Sequence, residues 1–251
     1  MLWAYKKQDF IEITKIFKPS IFQTNMAETL TKGDFVEIEF TAKIKNSGEI
    51  FDTNKKEDAK TLNLKDVKPF TLAIGHSMLI PGLDKSLEGK EVGKNYEEEF
   101  SPVDAFGIRH KSMVRMIPMK AFLAQKIYPQ QGMQLSLDGM IAKVISVSGG
   151  RVLVDFNNPL SGKAVIYNYT ITKKLTSIDD KVNSLQDYFF KQRFEFTTTD
   201  KEVTFKLPEK LEPIAQIFAE PFEKILGMKI KAELIKEEKD SKENPSEVKT
   251  N

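Results

Sequence analysis

The sequence predicts an α+β protein assembled from small units rather than one large core. Three observations carry this. The chain has 251 residues, enough for two or three small domains. Short strand-like alternations are interleaved with short helical spacings, as antiparallel strands and brief helices would require. The pattern also changes character near residue 108 and again near residue 176.

Residues 31–107 read as strand, strand, helix and strand. The segment FVEIEFTAKIKNSGEIFDTN alternates apolar and polar over Phe35 to Phe40, turns at Ser47-Gly48 and ends on an aromatic–carboxylate pair, Phe51-Asp52. The segment FTLAIGHSMLIPGLDKSLEGKEVGKNYEEEFSPVDAFG opens as an apolar strand and turns at Gly75-His76. Past Pro81 and Gly82 it sets Leu83 and Leu87 at helical spacing, and Gly89 stops the helix. Residues 108–157 form a separate β-rich unit, with MVRMIP, a turn of helix at MKAFLA, MQLSLDG, and a hairpin MIAKVISVSGGRVLVDF turning at Gly149-Gly150. The alternating strand AVIYNYTITKKL then follows.

The region 176–236 reads as a C-terminal α+β domain. Ser177 is a candidate helix cap, with Asp179 and Asp180 in the first turn and a stripe of Val182, Leu185, Phe189 and Phe190. A hairpin places Val203, Phe205 and Leu207 on one face. A second helix is constrained by Pro213 and Pro221, and a closing strand turns Met228, Ile230, Ala232 and Leu234 inward. Residues 1–30 are expected to be an N-terminal extension, with Met26 the expected true start. Residues 237–251, almost without apolar groups, read as a disordered tail.

Composition narrows the function. Lys plus Arg number 38 against 36 Asp plus Glu, so no global field calls for nucleic acid or a membrane surface. Zero cysteines and two histidines exclude a disulfide scaffold and speak against a metal site; no cofactor is expected. No apolar run approaches the roughly 20 residues that span a bilayer. The first 25 residues lack the apolar stretch of a signal peptide, so a cytoplasmic location is expected.

The order of these parts, from FVEIEF through FDTN, MLIPGLDKSLEG and SPVDAFG to the late strand AVIYNYTITKKL, resembles the FKBP family of peptidyl-prolyl isomerases. It is most similar to the SlyD-like and long archaeal members, which carry an extra domain in the flap, and the resemblance covers Lys32 to about Leu175. It implies an FKBP-like antiparallel sheet wrapped on a short helix, formed by residues 31–107 together with 158–175, with residues 108–157 as the insert-in-flap chaperone domain. It also implies unfolded or proline-containing polypeptides as partners.

Prolyl isomerisation asks little of a protein's reactive groups. The barrier of roughly 18–20 kcal/mol comes from amide resonance. A catalyst has only to bind the twisted amide better than the planar forms. An apolar cup and a few fixed hydrogen bonds suffice. By resemblance, Phe51, Asp52, Ile80, Phe106 and Tyr167 are the catalytic set, and Phe40, Met78, Leu79, Leu83 and Leu160 complete the substrate pocket. The Ile80 N–H would hold the substrate carbonyl, the Met78 carbonyl would accept from the peptide, and Asp52 would sit at the pocket mouth. Phe40 and Phe106 stand where most members carry tyrosines, the first bonding the pocket aspartate and the second the peptide. Leu83 replaces a tryptophan floor. Activity is therefore expected to be lowered rather than lost; the alternative is a non-catalytic chaperone with a degenerate pocket.

The insert holds Met113, Met116, Met119, Met133 and Met140, five of the chain's nine methionines. Flexible thioethers suit promiscuous apolar surfaces. These residues and Phe122 are the expected client-binding set, with packing inside the small domain as the rival use. In the C-terminal domain, Phe189, Phe190, Phe194, Phe196, Phe205, Phe218 and Phe222 are more aromatic surface than sixty residues are expected to hide. They predict a homodimer interface, or else packing into a core of their own or onto the isomerase domain.

Overall fold

The computed structural model describes residues 29–137 and 139–235. The first 28 residues and the tail from 236 lie outside the described residues, and with them the expectations for the extension, for Met26 as start and for the tail.

The first unit is a five-stranded antiparallel sheet centred on β1 (Phe35–Ile44). One edge of β1 is shared. Its outer half pairs with β2 (Ile50–Thr53) and its inner half with β3 (Phe70–Ala73). Along its other edge runs β9 (Val165–Leu175), which in turn pairs with β4 (Asn95–Phe100). The strand order β2–β1–β9–β4, with β3 beside β2, therefore needs a strand that arrives after the insert. Between β2 and β3 lies a short helix, α1 (Lys56–Ala59), absent from the sequence reading, which also merged β2 with its turn.

Under the sheet sits α2 (Pro81–Ser86), with Pro81 in its first turn, where the missing N–H costs nothing. Leu83 and Leu87 are both fully buried, as their spacing implies. Gly89, in the left-handed region at φ +78°, ends the helical segment and donates to the Leu30 carbonyl at 2.8 Å. That contact corrects one boundary. Leu30, assigned to the extension, is 1% exposed and belongs to the core.

The insert is a four-stranded antiparallel sheet in the order β5 (Val114–Pro118), β8 (Arg151–Asp155), β7 (Met140–Ser148), β6 (Gln134–Leu137), with helix α3 (Met119–Ala124) beside it. The β7–β8 hairpin turns at Gly149 and Gly150, both at positive φ, which is the backbone a tight hairpin turn demands. Its core is its own: Phe122, Ala142, Val144, Val152, Val154 and Phe156. The two crossings to the first unit are tied together. Arg109 reaches Asp155 at 2.5 Å, and Asn157 bonds both the N–H and the carbonyl of His110.

The C-terminal unit runs α4 (Ile178–Phe189), β10 (Phe196–Thr198), β11 (Glu202–Pro208), α5 (Glu212–Leu226) and β12 (Lys229–Ile235). β10 and β11 form the expected hairpin, while β12 lies parallel to β11 after crossing through α5. Val203, Phe205 and Leu207 share the buried face. Three details differ from the sequence reading. Ser177 occupies the cap position of α4 but its hydroxyl makes no capping bond. Pro221 lies inside α5 rather than in a first turn. Of the closing strand only Met228 and Ile230 turn inward, whereas Leu234 is 41% exposed, because β12 is an edge strand whose far end outruns the ring cluster. Among the described residues no helix is long and apolar enough to cross a membrane.

Candidate functional site

The aromatic pocket is built where β1, β2, β9 and the segment after β4 meet. The Phe51 ring packs edge-on against Phe106 at 5.6 Å and against Tyr167 at 6.2 Å. Tyr167 also meets Phe40 at 5.7 Å and Phe100 at 6.0 Å. Contacts of this edge-to-face kind fix ring orientation as well as burying area. Phe40 and Tyr167 are buried within the sheet, while Phe51 and Phe106 stay half-buried and form the open side. Of the sequence-derived set, these four rings are brought together. Leu79 and Ile80 pack against the same core from the loop before α2, and Leu83 lies completely buried beneath. Leu160 lines the neighbouring cleft, a wall it shares with Phe51.

Asp52 follows Phe51 on β2, and its charge is felt by the Tyr167 hydroxyl. As a residue it is exposed, yet its carboxyl lies against enough apolar surface for burial to raise its pKa above the ordinary aspartate value, despite a hydrogen bond from the Thr53 N–H. Tyr167 is pushed up more strongly, by burial first and by the Asp52 charge second, so its phenol stays protonated.

The Ile80 N–H, at the N-cap of α2, makes no hydrogen bond to the protein among the described residues, as a donor kept for a substrate carbonyl requires. The Met78 carbonyl is likewise unclaimed, while its sulfur accepts from the Ala73 N–H at 3.2 Å.

Several supporting residues escaped the sequence reading. Asp84, nearly buried in α2, accepts from the N–H groups of Gly75 and Ser77, both at 2.8 Å, and so holds the loop that presents Met78 to Ile80. Asn54 accepts from the Phe40 N–H at 2.6 Å and donates to the Ile38 carbonyl at 2.9 Å, locking the end of β2 against β1 beside Asp52. Phe100, at the end of β4, closes the back of the ring cluster. Ser161 donates to the Phe106 carbonyl at 3.0 Å, and Gly162 to that of Gly107 at 2.8 Å, so the loop carrying Phe106 is pinned by the chain returning from the insert.

In the insert, the expected client set divides. Met116 is 59% exposed, Met133 40% and Met140 39%. Met113 and Met119 pack against the insert's own core. Phe122 is 3% exposed at the centre of that core, which corrects its assignment as a presented side chain: α3 lies with this ring turned onto the sheet. A cleft of about 620 Å³ runs from Phe51 and Leu160 to Ile141 and Ile145 on the insert, flanked by Arg109, Lys143 and Lys163.

The rings thus form an apolar, half-open pocket on a sheet that is interrupted by a second domain. The family model described as FKBP-type peptidyl-prolyl cis-trans isomerase matches residues 26–127, and the one described as FKBP26, IF domain, matches residues 115–160. A short-type peptidyl-prolyl cis-trans isomerase of Methanocaldococcus jannaschii is 28% identical over 150 residues, which cover 58% of this chain and 94% of that protein. SlyD of Haemophilus influenzae is 32% identical over 108 residues, covering 41% of this chain and 56% of that protein. SlyD of Treponema pallidum is 28% identical over 154 residues, covering 60% and 81%. The chain therefore spans little more than half of the Haemophilus protein and nearly all of the methanogen one. Over residues 26–160 the chain is thus similar to the FKBP-type peptidyl-prolyl cis-trans isomerases, of the SlyD-like kind with an inserted domain.

Proposed function

We propose that the chain couples prolyl isomerisation in the Phe51–Phe106–Tyr167 pocket to the holding of unfolded polypeptides on the insert, and that it works in the cytoplasm. The observation that carries the catalytic half is the pocket's arrangement: half-buried rings, a carboxylate whose charge the Tyr167 hydroxyl feels, and an unclaimed N–H at Ile80. The apolar cup removes water from the prolyl amide, whose twisted form carries less charge separation and loses less by desolvation. The Ile80 N–H holds the carbonyl in place, and Asp52 biases the amide dipole from the rim.

The chaperone half rests on exposed Met116, Met133, Met140 and Ile141 together with the cleft that continues from the insert to Phe51. A polypeptide held on the insert reaches the prolyl pocket along that cleft. A protease-coupled assay on proline tetrapeptides tests the catalytic half. A full chain that gives no rate above background on several Xaa-Pro sequences would leave only the binding role.

A further inference from the structure

Phe40 and Phe106 deprive the pocket of the two hydroxyls that tyrosines would supply there, but a third position restores one. Tyr167 projects from β9 opposite Ala42 and Glu98, and its ring is enclosed by Phe40, Phe51 and Phe100. The residue is only 4% exposed. Among the described residues no protein group hydrogen-bonds its hydroxyl, and its raised pKa is traced to burial and to the Asp52 charge alone. Among the described residues, however, the only side-chain oxygen or nitrogen sealed from solvent without a partner is Ser184 Oγ. The Tyr167 Oη therefore keeps contact with solvent. The flanking rings are apolar, so the pocket side is where an incoming hydrogen-bond acceptor would meet it. A hydroxyl on a residue only 4% exposed, with its one opening toward solvent, takes its hydrogen-bond partner from that side, and a bound peptide would displace water there. Because its phenol remains protonated, it acts as a donor.

We propose that the Tyr167 hydroxyl donates a hydrogen bond to a backbone carbonyl of the bound Xaa-Pro peptide, making Tyr167 the pocket's side-chain donor in place of Phe40 and Phe106. This rests on the prolyl pocket reading above. A peptide carbonyl is the acceptor of choice, since an extended chain crossing the rings presents carbonyls and no charge.

The test is Tyr167→Phe in the full chain, which deletes one oxygen and preserves the ring contacts. An unchanged melting temperature with kcat/KM on an Xaa-Pro tetrapeptide lowered about three- to ten-fold, the scale of one hydrogen bond, is expected. The same loss should persist in an Asp52→Asn background, and Phe106→Tyr added to Tyr167→Phe should recover part of it. Equal kcat/KM in the wild type and Tyr167→Phe would overturn the proposal. So would a loss that vanishes with Asp52→Asn, because the hydroxyl would then act by orienting that carboxylate. Calorimetric titration with the same peptide separates this inference from the isomerase reading. A wild type that binds without turnover ends the isomerase reading alone, and weaker binding by Tyr167→Phe still supports the donor. A wild type that neither binds nor turns over the peptide ends both.

Discussion

The Asp84 carboxylate accepts the Ser77 backbone N–H at 2.8 Å, joining the buried face of α2 to a residue held in the left-handed region at φ +58°. With its other oxygen on the Gly75 N–H, Asp84 fixes the loop whose next residues supply the Met78 carbonyl and the Ile80 N–H. A non-glycine residue at positive φ persists only where its surroundings over-determine it. Asp84→Ala is expected to destabilise the chain by about 2–4 kcal/mol, as two charge-assisted bonds are lost. It should also lower kcat/KM roughly ten-fold or more through misplacement of the donor. Asp84→Asn, which keeps one acceptor, should fall between. Urea melts and the peptide assay check both; full activity in a folded Asp84→Ala would show that the loop holds its shape without the carboxylate.

The raised pKa of Asp52 gives a pH signature. An acid whose folded-state value is raised favours the fold while protonated. That contribution is complete below the reference value of 3.8 and is lost as pH rises through the folded-state value. Asp52→Asn should therefore melt above the wild type near neutral pH and lose that margin in acid. Peptide turnover by the wild type should decline on acidification, starting above 3.8, while the variant stays flat. A wild-type profile without that decline would remove Asp52 from the chemistry.

Gly82 is demanded by space rather than by backbone conformation. A Cβ there would lie 2.5 Å from Phe100 Cδ1 and 3.0 Å from the Asp104 carbonyl oxygen, which already accepts the Gly82 N–H at 2.7 Å. Gly82→Ala should cost about 1–3 kcal/mol by overpacking. It should also reduce peptide turnover, because Phe100 braces Tyr167. Differential scanning calorimetry with the peptide assay is the check.

The insert separates into a core and a surface. Replacing exposed Met116, Met133 and Met140 by Ser should weaken suppression of client aggregation and leave tetrapeptide turnover near the wild-type value. Phe122→Ala should instead unfold the insert, at a cost of about 3–5 kcal/mol typical of a buried ring. Light scattering of a denatured client, run beside the peptide assay, distinguishes the two outcomes. Protection that survives the triple substitution would place the client site elsewhere.

The seven C-terminal phenylalanines pack on one another. Phe190 stacks on Phe222 at 5.6 Å, Phe189, Phe205 and Phe218 surround that pair, Phe194 meets Phe190 and Phe196 meets Phe205. Phe205 and Phe222 are fully buried, and Tyr188 reaches Phe70 of the first unit at 6.4 Å. The homodimer remains a proposal on a different footing: Ile217, 69% exposed beside an apolar hollow lined by Phe189, Phe194 and Phe218, and the open edge of β12. Ile217→Asp should convert a dimer to a monomer in light scattering across a concentration series. A wild type of monomeric mass at the highest concentration would rule the dimer out.

The strands, the insert and the rings of the pocket were legible because local rules write them into the chain. Alternation marks β1 and β9, Pro81 and Gly89 bracket the helical segment, and Gly149-Gly150 forces the hairpin. The order of FDTN, MLIPG and VDAFG then carries the pocket. Other features became visible only in three dimensions. Asp84 reads as one more helix carboxylate until the turn folds Gly75 and Ser77 back over it, and Asn54 as a loop residue until β2 lies against β1. Phe122 and Met116 are both apolar residues of the insert in sequence. Which is core and which is surface depends on how α3 settles on its sheet, since burial follows from packing between elements and not from composition. The phenylalanines of the C-terminal unit can be counted in the sequence, but which of them bury one another cannot be read there. Rings contributed by α4, β11 and α5 bury one another only after α5 carries the chain across from β11 to β12, and no local pattern records that meeting.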